Sequence, residues 1–213
     1  MKKGTFLLLL IFLTGGMTVS AQIEKSNWFV NGLNIISFQV GSYKNSDGLF
    51  GSSKTNFSEF TYGPSFLSGL YGGMNFVNSP TINYGITNKL SGGVLLIINQ
   101  YSEKDNIKST ASVFAIGPSL RYYFLDEKKF IPFAEGKIGI GGISSKYSNN
   151  DASKSGLFAW YLGAGGTYFF KPKIGIDFTL GYGNMALKAK DSQSNSKTTV
   201  SLVNIGVGML VGL

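Results

Sequence analysis

The sequence contains no cysteine and no histidine, and only 14% of its 213 residues are charged. Without Cys there are no disulfide staples, no thiolate catalysis, no iron–sulfur cluster and no structural zinc of the Cys type. Without His there is no Ser-His-Asp triad, no His-ligated metal and no imidazole switch near neutral pH. The charged share falls well below the usual quarter or so. Beyond the N-terminal segment the longest apolar stretch is Val94–Ile98, which is strand-sized and excludes helical membrane spans. What is abundant is glycine, phenylalanine and tyrosine, at 29, 17 and 11 residues. High glycine, high aromatic content and low charge argue against both disorder and a helical bundle. One domain is expected at this length.

The N-terminus reads as a secretory signal. Lys2 and Lys3 form a positive n-region, Phe6–Leu13 an apolar h-region, and Thr18-Val19-Ser20-Ala21 a small-residue cleavage site. Cleavage is expected after Ala21, leaving 22–213 as the mature domain. The apolar run is too short for a spanning helix, which needs about 20 residues. No Cys follows it, which excludes a lipoprotein. Loss of Lys2 and Lys3 takes the net charge from +8 to +6, so the exported chain stays basic.

The mature sequence reads as eight strands: Trp28–Tyr43, Met74–Ile86, Leu90–Tyr101, Thr110–Phe124, Phe130–Tyr147, Ser155–Phe170, Ile174–Lys188 and Thr198–Gly212. Most exceed the usual five or six residues, and a tilted membrane strand needs about 9–11. Tight turns at Thr87–Lys89, Asp126–Lys129 and Lys171–Lys173 alternate with longer polar loops at Ser102–Ser109, Ser148–Lys154 and Ala189–Lys197. Short turns at one end and long loops at the other are the pattern of an outer-membrane barrel, with short turns on the periplasmic side. The first connection, Lys44–Gly73, is longest; Phe60, Tyr62, Pro64 and Phe66 alternate within it. Bacterial single-chain barrels have even strand counts, so eight strands are expected, with ten as the alternative.

Alternation supports this. Val203, Ile205, Val207, Met209, Val211 and Leu213 share one face of the last strand, opposite Asn204, Gly206, Gly208, Leu210 and Gly212. Ile176, Phe178, Leu180 and Tyr182 oppose Gly175, Asp177, Thr179 and Gly181 in the same way. The polar face is too glycine-rich and too uncharged for a solvated exterior. It suits the narrow lumen of an eight-stranded barrel, filled by side chains. The apolar face then meets lipid. The first strand and the one from Leu90 are apolar on both faces; Trp28, Val30, Ile36, Phe38 and Val40 are taken as lipid-facing. A soluble exported barrel binding an apolar ligand would invert the assignment.

Aromatics cluster at both ends. Trp28, Tyr84, Tyr122, Phe124, Phe130, Tyr168 and Phe170 lie near the periplasmic end, and Tyr43, Tyr101, Phe114, Tyr147, Phe158, Trp160 and Tyr182 toward the other. Two belts are what interfacial anchoring requires.

Four charges fall mid-strand on the lumen parity: Arg121, Glu135, Lys137 and Asp177. Facing lipid at the midplane, an Arg or Lys would cost about 2–4 kcal/mol. Inside, they are expected to pair, forming a network that plugs the lumen. A hairpin symmetric about Asp126–Lys129 would set Arg121 opposite Ala134 and diagonal to Glu135. The alternative is a gated polar path for ions. Gly139-Ile140-Gly141-Gly142 and Gly163-Ala164-Gly165-Gly166 sit inside strands with no following helix, so they are not nucleotide loops. Glycine on a lumen face instead lets the strand curl and leaves space for long neighbours. No catalytic residue, metal site or cofactor is expected.

Lys44, Lys54, Lys104, Lys108, Lys146, Lys154, Lys188, Lys190 and Lys197 occupy the long-loop end. They form a solvated rim or a surface for anionic lipopolysaccharide or glycan. They are spread over separate loops, unlike a nucleic-acid site.

Ser79–Leu90, Gly117-Pro118-Ser119-Leu120-Arg121-Tyr122-Tyr123-Phe124 and Pro132-Phe133-Ala134-Glu135-Gly136 occur in that order. They resemble hairpin and strand motifs of the outer-membrane protein β-barrel domain family, small OmpA/OmpX-like barrels common in Bacteroidota. The resemblance covers nearly the whole mature chain. It implies an outer-membrane location, insertion by the barrel assembly machinery and no shared catalytic residues. Two departures stand out: Gly85 follows Tyr84 where the family carries an aromatic, and the final residue, Leu213, is apolar but not aromatic. The expectation is therefore a non-enzymatic, monomeric outer-membrane barrel. It would have a side-chain-filled lumen, contacts with lipid and lipopolysaccharide, and a structural or surface-interaction role through its long loops. The alternative is a narrow, porin-like pore.

Overall fold

The computed structural model describes residues 25–47, 51–62, 79–104, 108–125, 129–147, 153–189 and 196–213. The expected signal peptide lies outside them. Among the described residues no helix is long and apolar enough to cross a membrane. The described residues form nine strands: β1 (Trp28–Asp47), β2 (Gly51–Tyr62), β3 (Thr81–Gly85), β4 (Leu90–Lys104), β5 (Lys108–Tyr123), β6 (Phe130–Tyr147), β7 (Ser153–Lys171), β8 (Ile174–Ala189) and β9 (Lys197–Gly212).

All pairings are antiparallel, and they close on themselves. The order β1-β3-β4-β5-β6-β7-β8-β9 returns to β1, because β1 also pairs with β9 from Phe29↔Gly212 to Ser46↔Lys197. The result is a closed barrel, and among the described residues eight strands take part in this ring. β2 adds to the upper part of β1, from Ile36↔Tyr62 to Asp47↔Gly51, while β3 pairs with its lower part, from Trp28↔Tyr84 to Asn31↔Thr81. β2 and β3 thus follow one another along the same edge of β1.

The strand of β2 departs from the expected loop between Lys44 and Gly73, and β1 runs to Asp47 rather than Tyr43. Packing explains both. Tyr43 of β1 and Phe57 of β2 pack with their rings tilted and centroids 4.8 Å apart, against the apolar interior. Tyr43 therefore faces inward and is not part of an outer aromatic belt. Of the expected strand Met74–Ile86, β3 covers Thr81–Gly85; residues 74–78 lie outside the described residues.

The turn after β3 is set by Thr87, whose hydroxyl accepts from the amides of Lys89 (3.1 Å) and Leu90 (2.9 Å). The β7–β8 turn is formed by Pro172 and Lys173. Trp28 and Leu213 meet at this same end, where the Leu213 amide donates to the Trp28 carbonyl at 2.8 Å.

The two faces separate as alternation requires. In β5, Phe114, Ile116, Leu120 and Tyr122 are exposed outside, while Val113, Ala115, Ser119, Arg121 and Tyr123 are buried inside. The ambiguous strands resolve likewise. Val94, Leu96 and Ile98 of β4 face out, and Leu95 and Ile97 face in. In β1, Trp28, Ile36, Phe38 and Val40 are exposed and Val30 half-buried, against buried Phe29, Asn31, Ser37 and Gln39. Two bulges lie between these groups, at Val30/Leu33 and Asn34/Ile36, with Gly32 at φ +74°. The outer face of β9 is apolar from Val203 to Leu213. Ten steps of about 3.4 Å, at the ~40° tilt of such barrels, give a band about 26 Å tall, the height of a membrane-spanning barrel's apolar belt.

Candidate functional site

The described residues enclose a lumen, and its lining repeats from strand to strand. Read upward from the short-turn end, the inward residues of β5 are Tyr123, Arg121, Ser119, Ala115 and Val113, and those of β7 are Phe169, Thr167, Tyr161, Ala159 and Leu157. Apolar side chains come first, then polar ones, then apolar again. In register, these rows stack into layers. The lower layer is Phe29, Tyr123, Ile131, Phe133, Phe169 and Leu210. The upper layer is built on Leu95, Ile97, Val113, Leu157, Tyr161, Met185 and Leu202. The lumen face is therefore not uniformly small or polar, as the sequence pattern suggested; its two ends are greasy and its waist is charged.

The waist brings Arg121, Glu135, Lys137 and Asp177 together, all at least nine-tenths buried. Arg121 and Glu135 pair directly in register on β5 and β6, and Tyr122 stands opposite Ala134. This is a shift of one residue from the hairpin expected to be symmetric about Asp126–Lys129. The reason is parity. Cross-strand partners must share a face, so Arg121 on the lumen side cannot stand opposite the outward parity of Ala134.

The guanidinium donates from Nη2 (2.7 Å) and Nε (3.1 Å) to Oε2 of Glu135. It donates from Nη1 to Oδ2 of Asp177 at 2.7 Å. The other oxygen of each carboxylate is also engaged. Thr167 donates to Asp177 Oδ1 at 2.6 Å, and Lys137 Nζ lies 3.5 Å from Glu135 Oε1. With its amide oxygen turned to the guanidinium, Asn31 accepts from Nη2 at 2.9 Å and Nε at 3.0 Å, and its nitrogen faces Thr81. Ser119 donates to Asn83 at 3.0 Å. The rings of the adjoining layers cap the cations: Arg121 Cζ lies 3.8 Å from the Phe133 centroid, and Lys137 Nζ lies 5.4 Å from that of Tyr161. Two cations and two carboxylates leave the cluster with no net formal charge.

Thr167, Asn31 and Phe133 belong to this cluster but do not stand out in the sequence. Thr and Asn on a lumen parity were the available signal, and neither residue type announces itself as a ligand of a charge. Among the described residues, no group of three or more acidic side chains could hold a metal ion.

Above the waist, Tyr161 lies across two facing glycines, Gly163 of β7 and Gly181 of β8. A Cβ at either would collide with the Tyr161 ring. Glycine here is a matter of space.

At the short-turn end, Trp28 and Tyr84 pack at 5.0 Å and Tyr122 and Phe124 at 5.4 Å on the outer surface. Phe130 stands beside Tyr168 in register, and Phe170 is exposed next to the turn. All seven aromatics of the expected lower belt thus lie outside and at one end. Of the upper set, Phe114, Phe158 and Tyr182 are exposed outside. The side chains of Tyr101 and Tyr147 lie outside the described residues.

No family model matches the sequence, and no curated protein is similar to it. The resemblance to the outer-membrane protein β-barrel domain family thus has no support from that side. Solved structures do align with the chain. Neisserial surface protein A (NspA) aligns at 17% identity and a TM-score of 0.45, over 86% of this chain and 96% of its own. OprG from Pseudomonas aeruginosa aligns at 11% and 0.42, over 92% and 99%. Ail, the attachment invasion locus protein of Yersinia pestis, aligns at 12% and 0.40, over 86% and 98%.

Proposed function

We propose that the chain is a small, non-enzymatic outer-membrane barrel with a closed interior, acting through its outer wall and projecting hairpins. The apolar outer band and the aromatics at its lower edge support the location. They count against a soluble barrel, whose exposed wall would be polar. The closed interior rests on one observation: a formally neutral ion cluster, with every carboxylate oxygen engaged, between two apolar layers. An ion crossing the lumen would have to displace both layers and compete with pairs that are already satisfied. The same cluster is poorly suited to hydrolysis, since each carboxylate is held by a cation and is buried.

Planar-bilayer recording of the folded mature chain tests this reading. Silent bilayers are expected. Conductance steps that vanish or grow on Arg121→Ala would overturn it in favour of a narrow pore.

A further inference from the structure

Six of the strands that rise above the apolar band carry a lysine on the outside. Lys54 of β2, Lys44 of β1, Lys197 of β9, Lys188 of β8, Lys154 of β7 and Lys146 of β6 are all exposed, on six strands that adjoin in that order. Each shares the parity of its strand's lipid-facing residues: Phe60, Val40, Val203, Tyr182, Phe158 and Ile140 are exposed on the same face. Each lysine stands four or six residues beyond that residue of its strand, toward the long-loop end. At about 3.4 Å per residue and a ~40° tilt, that is about 10–16 Å above the band. Small and hydroxyl- or amide-bearing residues fill the interval, with Asn184 donating to Ser201 at 2.8 Å. Among the described residues no acidic side chain shares this outward face. Glu59 takes the opposite parity, opposite the buried Gln39.

Two of these lysine pairs face each other directly: Lys44↔Lys54 and Lys188↔Lys197. Lys104 and Lys108 stand in the same relation in the β4–β5 register. Like charges directly opposite across a ladder are destabilising, yet the arrangement recurs at three hairpins. An anion seated between the two ammonium groups removes the repulsion. The direction of the side chains decides where that anion comes from. They point sideways from the wall, at the height of headgroups, rather than upward into solution.

We infer that these lysines form a girdle that binds phosphorylated headgroups of the surrounding outer-leaflet glycolipid, namely the phosphates of lipopolysaccharide. The inference rests on the outer-membrane reading above, and the experiment separates the two. The mature chain is folded in detergent and its gel mobility compared with and without boiling. The folded protein is then titrated with lipopolysaccharide and with the same lipid dephosphorylated. Native protein is expected to bind the phosphorylated form, less tightly as ionic strength rises. Replacing Lys44, Lys54, Lys188 and Lys197 together by Gln is expected to weaken binding about tenfold or more, while the matching Arg variant keeps it.

Binding within twofold of native in the Gln variant, or no preference for the phosphorylated lipid, would overturn the girdle while leaving the barrel intact. A soluble sulfated polysaccharide that binds more tightly than the lipid, through the same lysines, would also overturn it. If the Gln variant loses its heat-dependent mobility, the Arg variant and the salt titration of native protein decide. If the native chain shows no such mobility, the outer-membrane reading itself fails and the girdle with it.

Discussion

Arg121 on β5 is bonded across the lumen to Asp177 on β8, three strands away around the ring, at 2.7 Å. Its bond to Glu135 joins neighbouring strands, but this second bond spans the interior and ties opposite walls together. The barrel is thereby cross-braced by side chains where no backbone pairing can reach.

Removing the brace should be costly. Arg121→Met leaves Glu135 and Asp177 buried with reduced compensation, and breaking a buried pair costs about 3–5 kcal/mol. The expected result is a large fall in the urea midpoint for unfolding from detergent or lipid. Replacing Arg121, Glu135, Lys137 and Asp177 together by apolar residues of similar volume should recover much of that loss, since no charge is then stranded. If Arg121→Met alone unfolds like the native chain, the cluster does not brace the barrel.

The Tyr161 ring supplies a second, independent test. Gly181→Ala sets a methyl group against the ring and should destabilise by about 1–3 kcal/mol, as overpacking does. Adding Tyr161→Leu should relieve most of that cost, and the double-mutant cycle measures the coupling. An additive result would place the strain elsewhere.

Gln39 is buried in the lumen opposite Asn204, and both polar atoms of its amide lack a hydrogen-bond partner within the described residues. An unsatisfied buried polar group costs about 1–3 kcal/mol. Gln39→Met, similar in length and apolar, should therefore leave the unfolding midpoint unchanged or raise it. A clear fall would show that the amide is engaged in the folded protein.

Much of the architecture was legible because a period of two is read directly from residues such as Phe178, Leu180 and Tyr182 against Asp177 and Thr179. The four lumen charges were legible for a related reason: a charge mid-strand has nowhere else to go. Three things were not. The one-residue register of the β5–β6 hairpin depends on the turn, and only the shared-face rule applied to Arg121 and Glu135 fixes it. β2 hides in a segment rich in Ser and Gly, whose strand character comes from packing Phe57 on Tyr43 rather than from propensity. The greasy ends of the lumen escaped notice because Leu95 and Ile97 look the same whether they face lipid or one another.

The paired bulges in β1 have a consequence for how the sequence can change. Each gives β1 one residue more than β9 along the same length, and the two together leave the odd-numbered Phe29, Asn31, Ser37 and Gln39 all facing inward. A deletion of one residue at either bulge would straighten the strand there and leave Ser37 and Gln39 opposite Gly206 and Asn204 with their faces kept. Single-residue insertions and deletions should therefore be tolerated in this stretch better than in the regular strand above it. The bottom of β1 works as a slack joint in the seam where β1 and β9 close the ring.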